Sequence, residues 1–432
     1  MRLPGRLNAA IEVLADIEKR KRPVGDALKD WGLSHRFAGS GDRAAIGNIV
    51  YDALRKKLSN AHIARSQSAR SLAFTTLVRD WGENPEELNA SFVDDKFAPE
   101  VLSEKEIETI TRENPLVDAP EHVQADIPEW TQSSFESNFA EEWIKEGAAL
   151  AERPPLDLRV NSLKTTREKV LKALSHTNAQ ATNIATQGIR LAAGTRDSRT
   201  PNVQAEEAFK KGRFEIQDEG SQIVSELIYA RPGEKVLDLC AGAGGKSLAM
   251  GAMMENKGQL FAYDSDKSRL APIWDRIKRS GLHNVQVRQP HHKDPLTDLV
   301  GAMDRVVLDA PCTGSGTWRR RPDAKWRLTR QLMEQRLQEQ EEVLSQAVPF
   351  VKIGGFLVYI TCSIFPEENE GQIYAFMDEN PNFELLSAGE VWQDLYGFDK
   401  PMPWSSDLKS VTLTPASTNT DGFFFSVLQR SS

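Results

Sequence analysis

Residues 236–246 have the sequence VLDLCAGAGGK, in which an apolar strand leads directly into a glycine-rich turn. A predicted helix follows, beginning near Ser247. Glycines let a backbone turn sharply and approach a ligand closely. The next predicted strand, residues 259–263, runs into Asp264, which lies 22 residues after Gly242. Because an acidic residue at that offset can bind ribose hydroxyls, the stretch predicts a nucleotide-type cofactor beside a Rossmann-like sheet.

The glycine pattern alone leaves a second interpretation open. It is G-x-G-G rather than the G-x-G-x-x-G of dinucleotide-binding loops, and Ser247 stands where the third glycine would be. A tight strand-to-helix turn followed by a surface aspartate would show the same residues.

Apolar strands alternate with amphipathic helices from about residue 215 onward, which predicts parallel strands joined by right-handed crossovers. The strands predicted after the first two are residues 285–288, 305–308 and 356–361, with a last one at 422–428. Residues 156–191 have the pattern of strand, helix and strand, a small α+β module. The first 80 residues carry apolar side chains at helical spacing. The expected fold class is α/β, preceded by an all-α region and the α+β module.

Charge is distributed unevenly along the 432 residues, whose net charge is −8. Residues 1–60 contain twelve Lys and Arg against seven Asp and Glu, and residues 301–330 contain seven against three. Residues 83–152 contain only four against nineteen. Because a polyanion responds to the local patch that it meets, the overall acidity does not exclude a nucleic-acid partner.

The three cysteines do not occur in a C-x-x-C spacing, so the sequence predicts neither a metal site nor a disulfide framework. Such cysteine usage fits a reducing cytoplasm. The N-terminus lacks the apolar core of a signal peptide, and no stretch reaches the roughly 18 apolar residues of a membrane span. We therefore expect a cytoplasmic protein with no membrane partner, and a monomer.

Two of the cysteines directly follow predicted strands. Residues 306–308 lead into Asp309-Ala310-Pro311-Cys312, and residues 358–360 lead into Thr361-Cys362-Ser363. Ligands bind at the carboxyl ends of strands in open α/β sheets. One such cysteine alone is more often a small buried hydrophobe, but two at strand ends are hard to explain as packing.

Methylation at carbon 5 of cytosine gives these residues a use. That carbon is too weak a nucleophile until a thiolate adds at carbon 6 and makes an enamine, whose carbon 5 can attack a sulfonium methyl group. A carboxyl group hydrogen-bonded at ring N3 would stabilise the charge that develops there, and Asp309 is the candidate. Enzymes that methylate an exocyclic amine need no thiol and carry an aromatic residue where this sequence has Cys312.

At these motifs the chain resembles the bacterial Fmu/Sun-type and nucleolar-protein RNA (cytosine-5) methyltransferases, which include an enzyme of small-subunit ribosomal RNA with a NusB-like N-terminal domain. The matching segments are 158–161 (LRVN), 217–219 (QDE), 240–246, 309–316, 361–363 and 421–424 (DGFF). The resemblance implies a NusB-like helical RNA-binding domain at 1–145, an RRM-like module at 146–215 and a Rossmann-like methyltransferase domain at 216–432.

The resemblance also implies roles for the site residues. Cys362 would be the nucleophile, and Cys312 would assist product release as or near the base. Asp309 would lie between the cofactor and the target base. The residues expected to bind S-adenosylmethionine are Cys240, Ala241, Gly242, Ala243, Gly244, Gly245, Lys246, Asp264 and Asp309.

Two departures from the family pattern stand out. Alanine replaces proline at Ala243 in the usual A-P-G-G-K loop, which should leave the backbone contacts intact. The acidic residue that follows the third strand and reads the adenine end of the cofactor is missing, and His291 is nearest that position. His291 either bonds the adenine or belongs to a solvent-facing His-His pair with His292.

A basic run follows the first cysteine motif, with tryptophans at 318 and 326. A charge run is usually a solvated face, but basic residues interleaved with tryptophans beside a catalytic loop suit phosphate pairing and base stacking. The residues predicted to contact RNA, with ribosomal RNA as the expected partner, are Arg319, Arg320, Arg321, Lys325 and Arg327.

Three other functions stay open at this point. The first is methylation of a tRNA or DNA cytosine, although the Glu-Asn-Val motif of DNA enzymes is absent. The second is a non-catalytic factor for ribosomal RNA assembly, against which the intact Cys312, Cys362 and Asp309 speak. The third is a dinucleotide oxidoreductase, which would have no use for two cysteines at strand ends.

Overall fold

The computed structural model describes residues 1–93 and 95–432. The α-helices are α1 (Leu3–Arg20), α2 (Val24–Ser34), α3 (Ser40–Arg55), α4 (Lys57–Ala64), α5 (Ala69–Thr75), α6 (Pro85–Ala90), α7 (Glu104–Thr111), α8 (Glu121–Gln124), α9 (Gln132–Phe139), α10 (Trp143–Ala149), α11 (Arg167–Ala173), α12 (Glu207–Lys210), α13 (Glu219–Leu227), α14 (Gly245–Met253), α15 (Lys267–Leu270), α16 (Ile273–Ser280), α17 (Pro322–Arg327), α18 (Arg330–Ala347), α19 (Glu370–Glu379) and α20 (Ala388–Tyr396). The strands are β1 (Leu156–Val160), β2 (Gln180–Ala181), β3 (Gly188–Leu191), β4 (Phe214–Ile216), β5 (Lys235–Asp238), β6 (Gln259–Tyr263), β7 (Val285–Arg288), β8 (Met303–Asp309), β9 (Val351–Thr361), β10 (Phe383–Leu385), β11 (Val411–Leu413) and β12 (Phe423–Arg430).

The described chain divides into two compact units. The helical unit comprises Met1–Pro154, Ala193–Thr200 and Trp318–Leu328. The sheet unit comprises Pro155–Ala192, Pro201–Thr317 and Thr329–Ser432. The domain boundaries predicted after residues 145 and 215 stay predictions.

Apolar spacing explains the helical unit. In α1, Leu7, Ala10, Leu14 and Ile17 recur every three or four residues, and all four are buried. A stripe of this kind lies on one face of an α-helix and packs against neighbouring helices. Buried residues of α3 and α5 share this core, which confirms the helical N-terminal region predicted from the sequence.

The segment that contains α17 contributes to the interior of the helical unit. Trp318 is fully buried, and its ring lies 6.1 Å from that of Phe135. Lys325 is also fully buried, and its Nζ donates to the main-chain oxygens of Arg55 at 3.0 Å and Asp126 at 2.6 Å. Burial lowers the pKa of Lys325 to about 8. The predicted RNA contact is therefore wrong for Lys325, because its ammonium group satisfies buried carbonyl groups and has no exposed surface.

The first sheet of the sheet unit confirms the predicted α+β module. Its strands have the order β2-β3-β1-β4 and are antiparallel throughout. Leu158, Ile189 and Phe214 are fully buried on the core side of this sheet, where α11 contributes Val170.

The second sheet has the Rossmann-like arrangement predicted from the alternating strands and helices. Its order is β10-β12-β9-β8-β5-β6-β7, with β11 added beside β12. The five strands from β9 to β7 are parallel, whereas β12 is antiparallel to β9. The chain leaves β5 toward β6 and β7 and then returns to β8 on the other side. This reversal creates a crevice at the carboxyl ends of β5 and β8, which is where open α/β sheets bind ligands.

Two glycines allow the loop after β8 to approach the start of β12. Gly422 N donates to Gly316 O at 2.7 Å. A Cβ atom built on Gly316 would lie 2.6 Å from Gly422 Cα, which is backbone and cannot rotate away. The loop of the first cysteine motif is thus fixed to the last strand by a contact that only glycine permits.

We therefore expect Gly316→Ala to lower the free energy of unfolding by about 2–3 kcal/mol, because the added methyl group forces backbone apart in a packed interior. Chemical denaturation measures this. Gly389→Ala in α20 is the control, since its added Cβ would have only Ser387 Oγ nearby, at 3.7 Å. Equal stabilities for the two variants would contradict the close approach.

Candidate active site

Parallel pairing of β8 with β9 brings the two cysteine motifs together. Leu308 lies opposite Tyr359 in the register, so the two strands end side by side. The loops that follow carry Cys312 and Cys362, whose Sγ atoms are 3.4 Å apart. Both cysteines are free thiols and half-buried. The structure therefore places two sulfurs in contact at a ligand-binding edge of the sheet.

Hydrogen bonds between the two loops hold this contact. Gly316 N donates to the main-chain oxygen of Cys362 at 3.0 Å. The hydroxyl groups of Ser315 and Ser363 are 2.9 Å apart, and Ile364 N donates to Ser315 Oγ at 2.9 Å. Both serines are fully buried, so these bonds are shielded from water.

The sulfur contact affects the protonation of Cys312. The hydrogen bond to Cys362 raises the pKa of Cys312 well above its ordinary value, and burial and the nearby Glu368 carboxylate act in the same direction. Cys312 therefore keeps its proton at neutral pH. Since the thiolate is the nucleophilic form of cysteine, Cys312 is not poised to attack in this state.

Asp309 ends β8 beside the cysteines and forms an ion pair with Lys246. The Nζ and Oδ2 atoms are 2.6 Å apart, the Lys246 side chain is 5% exposed, and that of Asp309 is 37% exposed. The ammonium group also lies 5.3 Å from the ring centroid of Phe423. A buried cation thus holds the carboxylate in place while leaving it accessible to a ligand.

The glycine-rich loop joins β5 to α14. Gly242 and Gly244 have φ angles of +49° and +82°, a left-handed conformation that suits glycine. Gly242 N donates to Asp264 Oδ2 at 2.9 Å, so the loop and the end of β6 are connected. The predicted juxtaposition of the loop with Asp264 is present.

Buried carboxylate groups line this end of the sheet. Asp238 is fully buried; its Oδ2 accepts from Ser247 Oγ at 2.5 Å, while its Oδ1 is without a hydrogen-bond partner among the described residues. Burial raises the pKa of Asp238 to about 7, and the charges of Asp309 and Asp264 add to this effect. Burial and the same three carboxylates raise the pKa of Cys240, which therefore stays a thiol. A backbone loop with left-handed glycines, an orphaned buried oxygen and a neighbouring acidic residue fits a cofactor with ribose and amine groups.

Arg159 is a functional candidate that spacing in the sequence does not reveal. This buried residue of β1 donates through Nη1 to Gly245 O at 2.9 Å and to Gln217 Oε1. Arg276 supports the same loop by donating to Ala243 O at 2.8 Å. The Leu-Arg-Val-Asn segment was a signal for Arg159, but spacing alone could not connect it with a loop 86 residues later.

Glu368 and Asn369 were also missed. Both are fully buried in the turn before α19, where their side chains bond the two cysteine loops. The available signal was a Glu-Glu-Asn run shortly after Thr361-Cys362-Ser363.

The remaining predicted contacts are placed as follows. Arg319 is buried and Arg320 half-buried, whereas Arg321 and Arg327 are exposed. Arg327 also pairs with Asp323 at 2.9 Å. RNA contact through these four arginines stays a prediction.

His291 is exposed in the loop after β7, and its ring packs edge-on against that of His292 at 4.6 Å. This matches the solvent-facing pair considered for the sequence, and a role at the adenine end of a cofactor stays a prediction. Across residues 1–93 and 95–432, no cluster of His, Cys, Asp and Glu side chains is suited to a metal ion. In the same ranges, every helix is too short or too polar to cross a membrane.

Known proteins resemble this chain over most of its length. The sequence profile described as 16S rRNA methyltransferase RsmB/F matches residues 226–429, and that of the RsmF/B-like ferredoxin-like domain matches residues 127–196. A probable ribosomal RNA small subunit methyltransferase B from Synechocystis sp. is 32% identical over 318 residues, which are 71% of this chain and 67% of that protein. The chain belongs to the RsmB/F methyltransferase family.

Other RsmB/F relatives and a solved structure are consistent with this membership. Ribosomal RNA small subunit methyltransferase B from Enterobacter sp. is 33% identical over 305 residues, 70% of this chain and 66% of that protein. The matches thus span about two thirds of the length of these relatives. A methyltransferase homologue from Pyrococcus horikoshii has a TM-score of 0.58 and 26% identity, covering 72% of this chain and 97% of that chain.

The buried Asp238 predicts a pH dependence of stability. The folded protein keeps the proton of this carboxyl up to about pH 7, whereas the unfolded chain loses it near 3.8. Between these values the folded state binds more protons, so this group's contribution to the free energy of unfolding falls as pH rises.

As pH is raised from 5 to 8, the stability of Asp238→Asn relative to wild type should therefore increase by about 2–3 kcal/mol, because each pKa unit corresponds to about 1.4 kcal/mol. The asparagine can still accept from Ser247. Urea denaturation of both proteins at several pH values measures the difference. If the free energies of unfolding of the two proteins changed with pH in the same way, the raised pKa of Asp238 would be contradicted.

Proposed function

We propose that this chain is an S-adenosylmethionine-dependent RNA (cytosine-5-)-methyltransferase that acts on small-subunit ribosomal RNA. The observation that carries the proposal is the 3.4 Å contact between Cys312 and Cys362 beside the accessible carboxylate of Asp309. Two thiols and a carboxylate at one sheet edge suit covalent activation of a pyrimidine ring.

S-adenosylmethionine, when bound, supplies the methyl group as an electrophilic sulfonium. The residues that would hold it are those of the 240–246 loop, with Asp264 and Asp309. Gly242 and Gly244 allow close backbone approach, and Asp264 is fixed by its bond to Gly242 N. Arg159 and Arg276 keep the loop in this conformation through Gly245 O and Ala243 O.

In the attack step, Cys362 gives its proton to solvent, and its thiolate forms a bond with carbon 6 of the cytosine. The electron pair of the carbon 5–carbon 6 double bond then becomes available at carbon 5. Asp309, once it carries a proton, would donate a hydrogen bond to ring N3, and Lys246 fixes the orientation of that carboxyl group. A target base within an RNA helix must be flipped out of the stack to reach Cys362.

In the release step, a base removes the proton from carbon 5, the double bond re-forms, and the bond between carbon 6 and Cys362 Sγ breaks. Cys312 lies next to the sulfur that departs. Because the adduct makes Cys362 a thioether, which can no longer carry a negative charge, one cause of the raised pKa of Cys312 is then removed. Cys312 is thereby able to take part in proton removal, which supports its role in release.

The names of the relatives support ribosomal RNA as the substrate. An enzyme of this kind acts in the cytoplasm, where that RNA is made into ribosomes, and we propose that it works as a monomer. A tRNA cytosine as substrate, or a non-catalytic role in ribosome assembly, would appear as a distinct outcome of the experiment below.

We expect Cys362→Ala to abolish methyl transfer and Cys312→Ala to accumulate a denaturation-resistant protein–RNA adduct, because attack proceeds in the latter while release stalls. The proteins are incubated with labelled S-adenosylmethionine and total RNA from a strain that lacks the gene. Gel electrophoresis under denaturing conditions detects the adduct, and mapping of 5-methylcytosine identifies the RNA.

Gly389→Ala serves as a folded control that should remain active. Activity in Cys362→Ala would exclude it as the nucleophile, and an adduct with that variant instead would reverse the two roles. Label in tRNA alone would indicate a tRNA cytosine methyltransferase instead. No label in any RNA would indicate a non-catalytic role in ribosome assembly.

A further inference from the structure

Glu368 follows the second cysteine motif, but its carboxylate reaches the loop of the first. The residue is fully buried. Its Oε1 accepts a hydrogen bond from Thr313 N at 2.8 Å, and its Oε2 accepts one from Thr313 Oγ1 at 2.5 Å. Since Thr313 directly follows Cys312, the carboxylate fixes the chain on one side of that cysteine.

Gln340 of α18 completes the arrangement on the other side. It is fully buried, and its Nε2 donates both to Glu368 Oε1 at 3.0 Å and to Pro311 O at 2.8 Å. Pro311 directly precedes Cys312. The Glu368–Gln340 pair therefore bonds both neighbours of the cysteine. The carboxylate accepts from Thr313 N, Thr313 Oγ1 and Gln340 Nε2, and the Ser363 side chain is a further donor.

Asn369 holds the other cysteine in a corresponding way. Its Oδ1 accepts from Thr361 Oγ1 at 2.6 Å, and its Nδ2 donates to Ser363 O at 3.1 Å. These residues flank Cys362. Asn369 thus fixes both flanks of Cys362, whereas the Glu368 carboxylate bonds the flanks of Cys312 and also interacts with the Ser363 side chain. The turn itself is held by Tyr359, whose hydroxyl donates to Glu368 O at 2.7 Å.

We infer that Glu368 is a positioning residue that holds Cys312 against Cys362. The inference rests on the proposed function and deepens it, because it separates the two steps. Attack depends on Cys362, whose flanks are bonded by Asn369, whereas release depends on Cys312. Loss of the Glu368 side chain should therefore slow release much more than attack.

The first test compares Glu368→Ala and Glu368→Gln with Glu370→Ala. In the alanine variant at 368, adduct should accumulate and turnover should fall about 10–100-fold, since a small misplacement of a reacting group has effects of that size. Glutamine should restore release to nearly the wild-type rate. Its oxygen can accept from Thr313 N and Gln340, and its amide can donate to Thr313 Oγ1.

Glu370 is the matched control, because it is a buried glutamate two residues away whose carboxylate accepts from Ser406 Oγ at 2.7 Å. Glu370→Ala should release product like wild type. Normal release in Glu368→Ala, or the same adduct accumulation in Glu370→Ala, would overturn the inference, because the effect would then not depend on the contact with the Cys312 loop.

A second test needs neither RNA nor methyl transfer. The free protein is equilibrated with mixtures of reduced and oxidised glutathione, in which the two thiols form a disulfide and lose two protons and two electrons while glutathione disulfide becomes two thiols. Peptide mass mapping quantifies the Cys312–Cys362 disulfide. We expect wild type and Glu370→Ala to form the disulfide in the same mixture, and Glu368→Ala to need one that is at least about tenfold more oxidising. Disordering of the Cys312 loop lowers the effective concentration of the two thiols.

Equal disulfide formation in Glu368→Ala and wild type, or none in wild type, would show that Glu368 does not hold the sulfurs together. If the disulfide series follows the expected order while no RNA is methylated, the positioning role stands and the proposed function fails.

Discussion

The site depends on the in-register parallel pairing of β8 with β9 in the middle of the second sheet. Leu308 opposite Tyr359 makes both strands end at one edge, and this places the loops of Cys312 and Cys362 next to each other. β5 pairs with β8 on the other side, so the glycine-rich loop emerges at the same edge. A shift of one residue in β8 would move its buried side chains to the opposite face and separate the two sulfurs.

The part of the site that follows from strand ends was predictable from the sequence. Apolar strands that end at Asp238, Asp309 and Thr361 indicate one functional edge, because parallel strands share their carboxyl ends. Residues that reach the site through packing were not predictable in this way. Arg159 bonds a loop far along the chain, and Glu368 bonds the loop of the other cysteine. Periodicity determines which face of an element is buried, but it does not determine which element lies against it.

Electrostatics at this edge raise the pKa values of several buried acidic groups. Burial raises the pKa values of Asp238, Glu368 and Cys240, and the hydrogen bond to Cys362 raises that of Cys312. Lys246 is the buried cation beside Asp309. Cys240 and Cys312 therefore stay thiols at neutral pH, and a thiol is less reactive than a thiolate toward alkylation and oxidation.

The segment Trp318–Leu328 has a consequence for how the protein is made. It belongs to the helical unit, where Trp318 packs beside Phe135 and Lys325 binds the carbonyl oxygens of Arg55 and Asp126. A ribosome that has synthesised the first 200 residues has not yet made these side chains. The helical unit consequently finishes folding only after residue 328 leaves the exit tunnel, and until then its interior is open to chaperones and proteases.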